Sequence, residues 1–308
     1  MKGHVWRIGS RGSPLALWQA HRVRDLLRRA DAGCDVEIEV IKTSGDRIQD
    51  RSLQEVGGKG LFVKEIQAAL LQDRVDLAVH SLKDYPAENP PELLLACIPE
   101  REDRRDALVL PEGKEEEDLP GDARVGTGSL RRHYQAALLQ PSWRIQGLRG
   151  NVETRIKKAD SGLLDAVILA AAGLKRLGHE GRIRRIFSCH EMVPAVGQGA
   201  LALECRREDR RLREILGDLQ ETTARAEVDA ERHFLSAIGA SCTTPMGFTA
   251  MIDQGVVTLL GFLSSIEGKR HMSDSLSGPA DKSLHLVDSL LQKFLDEGAE
   301  DLLDRRIE

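Results

Sequence analysis

The stretch RVDLAVHSLKDYP, residues 74–86, organises this chain. Residues 75–79 are apolar apart from one acid, and a short run of this kind is typical of a buried strand. Pro86 stops the strand, because proline cannot donate a ladder hydrogen bond. Open α/β sheets bind ligands beyond the carboxyl ends of their strands. The stretch therefore predicts that Asp84 faces a ligand. The alternative is a solvated loop with a Lys83–Asp84 ion pair.

The composition is that of an ordinary globular protein. The chain has 308 residues, of which 41% are hydrophobic and 30% are charged, so we expect two or three domains with cores of their own. The net charge of −5 argues against general nucleic-acid binding. No apolar run approaches a membrane span and the first residues lack the apolar segment of a signal peptide, which predicts a cytoplasmic protein without membrane contact. Five cysteines, an odd number without a CxxC pair, fit reduced thiols in that compartment.

The first part of the chain alternates strands with helices. Strands are predicted over 5–8, 36–41 and 75–79, and helices from Pro14 and over 61–71. The start of the first helix is marked by Ser13, because a capping hydroxyl ahead of proline is a typical helix beginning.

The second part repeats this plan. Residues 124–125 lead into Gly126-Thr127-Gly128-Ser129 and a helix, residues 143–145 lead into Leu148-Arg149-Gly150-Asn151 and another helix, and residues 164–169 form a further apolar strand. The order is preserved although the spacing is not, which indicates two similar lobes. A ligand cleft between them is expected.

The remainder of the chain supplies a hinge and a smaller domain. Residues 193–200, VPAVGQGA, have the glycines of a hinge, and residues 201–204 are predicted to return to the first lobe as a strand. From about Thr222 a helix, a cysteine-containing loop, a hairpin and an amphipathic helix indicate a small domain. The predicted fold class is α/β, with two lobes and a third, small α+β C-terminal domain. The predicted boundaries are 1–99 with 200–217, 100–199 and 218–308.

Arginines cluster at predicted helix N-termini in both lobes. They are Arg11 ahead of Ser13, Arg131 and Arg132 after Ser129, and Arg149 ahead of Asn151. A cation in a first turn is unfavourable by a few tenths of a kcal/mol unless an anion binds there. Guanidinium groups bind carboxylates bidentately, so the pattern predicts sites for several carboxylates or phosphates. Arg155 and Arg176 could join from the next helices. The alternative is an accident of surface composition.

Other motifs indicate less. The stretch Gly57-Gly58-Lys59-Gly60 lacks the GxxxxGK[ST] spacing of a phosphate loop. The histidines show no metal-ligand spacing, and we expect His80 to be packed or hydrogen-bonded rather than catalytic. Cys34, Cys97 and Cys205 lie in or beside apolar runs and are predicted to be inert. Cys242 differs because it lies in a loop of small residues, where both a structural and a chemical role remain open.

Together these motifs resemble the porphobilinogen deaminase family, also called hydroxymethylbilane synthases. The matching blocks run in order from about Arg7 to the end and are weakest over the last sixty or so residues. The blocks are RGSPLALWQA (11–20), VGGKGLFVKE (56–65), HSLKDYP (80–86), GTGSLRR (126–132), LRGNVETR (148–155), ILAAAGLKRLG (168–178), VPAVGQGA (193–200) and the loop around Cys242.

The resemblance implies a transferase of tetrapyrrole and haem biosynthesis. The family joins four porphobilinogen units head to tail with loss of ammonia and yields the linear tetrapyrrole hydroxymethylbilane. It builds on a dipyrromethane cofactor attached by a thioether to the cysteine that matches Cys242. The residue matching Asp84 is the catalytic carboxylate. The family fold has two lobes like those of periplasmic binding proteins and a third domain bearing the cysteine. A monomer without a metal is expected.

The resemblance also implies which residues bind the cofactor and substrate carboxylates. They are Arg11, Ser13, Lys83, Thr127, Ser129, Arg131, Arg132, Arg149, Arg155 and Arg176. Further candidates are Lys59, Phe62, Ser81, Gln198 and Gly199. Three positions depart from the commoner family pattern: Gly128 replaces serine, Glu55 replaces lysine, and Tyr85 replaces a small aliphatic residue.

The chemistry agrees with the residue types. Loss of ammonia from an aminomethylpyrrole leaves a cationic azafulvene, which an ionised carboxylate can stabilise. A carboxyl group can also hydrogen-bond pyrrole N–H groups or carry protons, and a thiolate is a competent nucleophile toward the azafulvene carbon. Two other classes fit part of the pattern. A binding module that closes on a small carboxylate leaves the Cys242 loop unexplained, and a phosphoribosyl or nucleotide-handling transferase would require nucleotide binding.

Overall fold

The computed structural model describes residues 4–47, 63–239 and 244–303. The chain divides into two compact units, of which the first comprises residues 1–102 and 199–226 and the second residues 103–198 and 227–308.

A five-stranded sheet forms the first unit. Its strands are β1 (Val5–Ser10), β2 (Asp35–Val40), β3 (Leu77–Ser81), β4 (Leu93–Cys97) and β10 (Leu201–Arg206), in the order β2-β1-β3-β10-β4. β1 is parallel to β2 and β3, whereas β10 runs antiparallel to β3 and β4. The predicted return of the chain to the first lobe after the hinge is therefore confirmed.

Helices cover both faces of this sheet. They are α1 (Pro14–Ala30), α2 (Ser44–Arg47), α3 (Lys64–Leu71) and α7 (Arg210–Asp218), together with a 3-10 turn at Leu82–Asp84. Alternate residues of β3 pack on opposite faces, since Leu77 joins a core with Leu27 and Leu212, while Ala78 joins one with Ile66. Two-sided burial explains why residues 77–79 of β3 are all apolar.

The second unit contains a sheet with the same pattern of strand directions. Its strands are β5 (Asp106–Val109), β6 (Arg124–Thr127), β7 (Arg144–Gly147), β8 (Ala166–Ala170) and β9 (Ile183–Ile186), in the order β7-β6-β8-β5-β9. β6 is parallel to β7 and β8, and β5 is antiparallel to β8 and β9. The helices are α4 (Leu130–Leu139), α5 (Val152–Asp160) and α6 (Ala171–Arg176), with 3-10 turns at Glu116–Asp118 and Glu180–Arg182.

A three-stranded antiparallel sheet completes the second unit. It consists of β11 (Met246–Asp253), β12 (Val256–Ser264) and β13 (His271–Pro279). Its helices are α8 (Thr222–Ile238), α9 (Ser283–Asp296) and α10 (Ala299–Leu302), with a 3-10 turn at Ala280–Lys282. In the core between α8 and this sheet, the ring of Phe234 stacks on the ring of Phe248 of β11, and the ring centroids are 3.9 Å apart.

The expected α/β class, with two similar lobes and a smaller C-terminal sheet domain, is confirmed. The exact three-domain boundaries stay a prediction. The hairpin expected between β11 and β12 is confirmed too, because Gln254 and Gly255 both have positive φ, at 47° and 79°. Tight hairpin turns of the primed type require this conformation.

Four strands were not predicted: β4, β5, β9 and β13. β4 lies in a proline-rich stretch as an edge strand, between Pro91 and Pro99. β13 reads HMSDSLSGP, and its alternating small polar residues carry little strand propensity. Its pairing with β12 over nine residues determines its conformation instead.

Candidate active site

In the first unit, the candidate residues follow two neighbouring parallel strands. β1 and β3 pair at Ile8–Leu77 and Gly9–Ala78, so their carboxyl ends meet at the same sheet edge. Arg11 and Ser13 follow β1, while Ser81, Lys83 and Asp84 end or follow β3. Residues that are far apart in the sequence are thus brought to one edge.

The predicted cap of α1 is confirmed. The Ser13 hydroxyl accepts the N–H of Ala16 at 3.3 Å, and Pro14 occupies the first helical position. Arg11 is half-buried just ahead of this N-terminus. The first turn of α1 contains no acid, so an anion at this N-terminus would meet the positive end of the helix dipole.

Asp84 lies at the end of the 3-10 turn that follows β3. The turn is fixed by backbone hydrogen bonds, from the Leu82 N–H to the Ala200 carbonyl at 3.0 Å and from the Tyr85 N–H to the Leu82 carbonyl at 2.9 Å. Lys83 is exposed and Asp84 is half-buried. Among the described residues, no hydrogen bond or ion pair satisfies the Asp84 carboxylate. It is therefore available to a ligand.

A buried polar cluster lies behind this turn. Glu204 of β10 is fully buried, with His80 and the Tyr85 hydroxyl within hydrogen-bond distance of its carboxylate. The expectation that His80 is a hydrogen-bonded, packed side chain is confirmed. Ser81 is also hydrogen-bonded, since its hydroxyl accepts from Gln19 of α1 at 2.8 Å.

In the second unit, the candidate residues follow three parallel strands. The carboxyl ends of β6, β7 and β8 meet at one edge. Thr127 ends β6 and is buried, Ser129 follows it, Arg149 follows β7, and Arg176 is the last residue of α6 after β8. This edge corresponds to the Asp84 edge of the first sheet, because the two sheets share one pattern of parallel and antiparallel neighbours.

Both predicted helix caps in this unit are confirmed. Ser129 caps α4 and Asn151 caps α5, where the Asn151 side chain accepts the N–H of Thr154 at 2.8 Å. Arg149 is exposed, and no described residue pairs with its guanidinium. Arg155 is half-buried on α5 and donates from Nε to the Gly150 carbonyl at 2.8 Å.

Gly128 allows a close approach between β6 and the loop after β7. A Cβ at this position would lie 2.5 Å from the Leu148 carbonyl oxygen and 3.3 Å from Arg155. A serine here would have to displace the Leu148 backbone. Glycine at position 128 thus permits the Leu148 carbonyl to lie close to this residue, just ahead of Arg149.

Arg131 and Arg132 are more enclosed than the helix-start pattern predicted. Both are buried, and both donate to Asp106 at the start of β5, from Arg131 Nη1 at 2.7 Å and from Arg132 Nε at 2.8 Å. Gln198 donates to the same carboxylate at 2.8 Å and accepts from Arg132 at 3.1 Å. Burial by itself raises the pKa of Asp106, but the charges of the two arginines outweigh it and hold that pKa below its ordinary value. The roles of the arginines in ligand binding stay predictions.

The glycines of the predicted hinge adopt conformations that other residues rarely reach. Gly197 and Gly199 have φ of 70° and 87°. The Gly197 N–H donates to the buried Glu231 of α8 at 2.7 Å. A second contact to α8 comes from Arg104, which forms an ion pair with Glu227 of that helix at 2.5 Å.

Three acids that are fully buried were not predicted from the sequence: Asp106, Glu204 and Glu231. Glu204 lies within the apolar strand β10, so it was the one of the three that stood out locally, whereas Asp106 follows two arginines and Glu231 lies beside Arg232 on α8. Their partners lie 18 to 137 residues away in the sequence. No local pattern could therefore identify what they bind.

Three predicted residues lie outside the described residues: Lys59, Phe62 and Cys242. The described cysteines behave as expected, because burial raises the pKa of the Cys97 and Cys205 thiols to about 12. Such thiols are poor nucleophiles.

In the described ranges, no group of three or more His, Cys, Asp or Glu side chains could hold a metal ion. None of the helices there is long and apolar enough to cross a membrane.

Two family models match the chain. Residues 6–214 match "Porphobilinogen deaminase, dipyromethane cofactor binding domain", and residues 225–296 match "Porphobilinogen deaminase, C-terminal domain".

Full-length relatives agree with these models. A protein of Roseiflexus castenholzii named porphobilinogen deaminase is 45% identical over 96% of this chain and 97% of its own length. Proteins of the same name from Thiobacillus denitrificans and Syntrophotalea carbinolica are 44% and 43% identical, each over 98% of this chain and over 98% and 96% of their own lengths. Among solved structures, the methionine-binding protein MetQ covers 72% of this chain and 92% of its own, at 10% identity and a TM-score of 0.45.

Proposed function

The chain belongs to the porphobilinogen deaminase family, and we propose that it acts as a transferase that condenses four porphobilinogen units into hydroxymethylbilane. The reaction releases one ammonia for each unit, and water completes the linear product. The central support is the Asp84 carboxylate, which is half-buried at the end of β3 and unpaired among the described residues.

Asp84 stabilises the positive charge that develops on the substrate. When the aminomethyl C–N bond of porphobilinogen breaks, the nitrogen leaves as ammonia and the pyrrole is left as a cation. A carboxylate already in place stabilises such a cation without reorganisation, which can be worth several kcal/mol. The same oxygens can accept hydrogen bonds from pyrrole N–H groups and take up a proton.

The donor set in the second lobe fits a carboxylate-bearing group such as dipyrromethane. Arg131 and Arg132 share the single carboxylate of Asp106, which leaves an excess positive charge. The buried Nε of Arg131 has no hydrogen-bond partner among the described residues. An unsatisfied buried donor next to uncompensated charge favours an additional anion. When bound, the dipyrromethane supplies the pyrrole on which the product chain is assembled.

We assign the residues that would hold this group and the substrate by their place at the two sheet edges. In the first lobe they are Arg11, Ser13 and Lys83, and in the second Thr127, Ser129, Arg131, Arg132, Arg149, Arg155 and Arg176. Lys59, Phe62, Ser81, Gln198 and Gly199 are further candidates. Cys242 would carry the thioether, since the loop that contains it matches the family's attachment loop.

The location and assembly of the protein are part of the same proposal. Porphobilinogen is a small, soluble substrate, and the chain needs no second copy to supply the residues assigned above. We therefore expect it to act as a monomer in the cytoplasm.

The proposed function is tested by the stoichiometry of turnover and by the intact mass. The purified protein should consume four porphobilinogen molecules and release four ammonia molecules for each tetrapyrrole. Its mass should exceed the 34.0 kDa of the sequence by two deaminated pyrrole units. A protein that binds porphobilinogen without releasing ammonia, at the unmodified mass, would be a binding module instead.

A further inference from the structure

The carboxylate of Glu204 is enclosed by three hydrogen-bond partners from separate parts of the first unit. Its side chain is 0% exposed on β10. Oε1 accepts the Tyr85 hydroxyl at 2.8 Å and the Gln67 amide at 2.8 Å, while Oε2 lies 3.1 Å from Nε2 of His80. Each partner is itself at most 6% exposed. A buried carboxylate is tolerated only where such bonds replace water, so this arrangement has little freedom to relax.

Two of these partners bracket the turn that carries Asp84. His80 precedes Ser81 at the end of β3, and Tyr85 immediately follows Asp84. The polar turn at residues 81–84 is therefore tied at both ends to one carboxylate. The third partner, Gln67, extends the connection beyond the turn, because its amide also donates to Asn89 at 2.9 Å.

Backbone contacts fix Glu204 with respect to the same turn. β10 pairs antiparallel with β3, with Ala202 opposite His80 and Leu201 opposite Ser81. The residue just ahead of β10, Ala200, also accepts the N–H of Leu82 at its carbonyl. Asp84 itself has no such support, since none of the described residues hydrogen-bonds its carboxylate. Its orientation must come from the chain on either side of it.

We propose that Glu204, with Tyr85 and His80, positions Asp84 for the reaction. This inference rests on the proposed function. Tyr85 and Glu204 are positioning residues, because their side chains act on the turn and not on the substrate. Tyr85, which departs from the commoner family pattern, thus forms one of the two side-chain hydrogen bonds that hold the turn at residues 81–84.

The test is Tyr85→Phe, which removes only the hydroxyl that reaches Glu204. We expect single-turnover addition of porphobilinogen by cofactor-loaded enzyme to slow by about 10- to 100-fold, because small displacements of a reacting group cost this much. The matched control is Tyr134→Phe. The Tyr134 hydroxyl donates to the Ile266 carbonyl in the second unit, and the rate of this variant should stay within about twofold of the wild-type rate.

A double-mutant cycle separates positioning from general damage to the fold. If Tyr85 acts through Asp84, then Tyr85→Phe added to Asp84→Asn should change the residual rate by less than about twofold. A purely structural defect would slow both backgrounds equally. The second variant is Glu204→Gln, because its amide leaves one acceptor oxygen for three donors. It should also slow the reaction in the wild-type background and change the residual rate of Asp84→Asn by less than about twofold.

The inference is overturned if Tyr85→Phe reacts as fast as Tyr134→Phe, or if its effect is equal in the wild-type and the Asp84→Asn backgrounds. Failure of the wild type to convert porphobilinogen would instead overturn the proposed function. The two failures are therefore distinguishable within one set of experiments.

Discussion

Asp106 Oδ2 accepts a hydrogen bond from Arg131 Nη1 at 2.7 Å, with both side chains buried. This pair joins the start of β5 to the first turn of α4, where a cation would otherwise be unfavourable. The same carboxylate holds Arg132. A single acid therefore orients two guanidinium groups at the edge where the second lobe presents its candidate residues.

Removal of this acid should be costly. Asp106→Asn leaves two buried guanidinium groups with a neutral partner, and loss of one member of a buried ion pair typically costs about 3–5 kcal/mol. We expect a decrease of that size in the free energy of unfolding, measured with urea. The control is Asp165→Asn, which breaks the partly exposed pair with Arg124 and should cost about 1 kcal/mol or less. Equal losses in the two variants would contradict the special role of Asp106.

The same carboxylate predicts how stability depends on pH. The pKa of Asp106 is held below its ordinary value, so its contribution to stability is complete above the unfolded value of about 3.9 and is lost as pH falls through the folded pKa. The difference in free energy of unfolding between wild type and Asp106→Asn should be largest near pH 7 and should shrink below about pH 4. A difference that stays constant down to about pH 2 would show that the charge of Asp106 does not stabilise the fold.

Local sequence signals predicted the helix starts well. Ser13, Ser129 and Asn151 cap helices as expected. Each side chain accepts a hydrogen bond from the backbone N–H three residues later in the sequence, and such a local interaction can be predicted from the sequence. The apolar run of β3 and the polar turn after it were also readable, since burial on both sheet faces dictates the composition.

Long-range pairing could not be predicted in the same way. The sequence predicts Arg131 and Arg132 as anion ligands but does not show that both also donate to Asp106, which lies 25 residues before Arg131. The tie between His80 and Glu204 spans 124 residues. Such contacts depend on which strands become neighbours, and the strand β5 that carries Asp106 was itself not predicted. The positions of Lys59, Phe62 and Cys242 lie outside the described residues, so their roles stay predictions.

Arg149 should act as a bidentate carboxylate ligand rather than as a simple positive charge. Lysine keeps the charge but loses the planar fork, and one charge-assisted hydrogen bond is worth about 1.5–3 kcal/mol. Arg149→Lys should therefore slow porphobilinogen addition by about 10- to 150-fold. Thermal stability should be unchanged, because no described residue pairs with the Arg149 guanidinium.

The matched control for Arg149 is Arg144→Lys. Arg144 lies on β7 and forms an exposed ion pair with Asp122, so lysine there should leave the rate unchanged. Single-turnover kinetics on cofactor-loaded protein measure both variants. Equal rates for arginine and lysine at position 149 would show that charge alone suffices.

Cys242 should be the attachment point of the cofactor among the five cysteines. Peptide mapping should find the adduct on the peptide that contains residues 239–245, and Cys242→Ser should fold without it. Cys34→Ser, at a half-buried thiol, should keep the adduct. An adduct on Cys34, Cys97, Cys189 or Cys205 would refute the assignment.

The most direct test of the account is single-turnover addition of porphobilinogen by Asp84→Asn. The substitution keeps the size of the side chain and removes its charge, so the protein should fold normally, while the rate should fall by about 10³-fold. Asp84→Glu should retain part of the activity, and the exposed Asp25→Asn on α1 should retain all of it. We expect a folded, cofactor-loaded Asp84→Asn protein that barely releases ammonia, whereas ammonia release at a near-normal rate would contradict the catalytic role of Asp84.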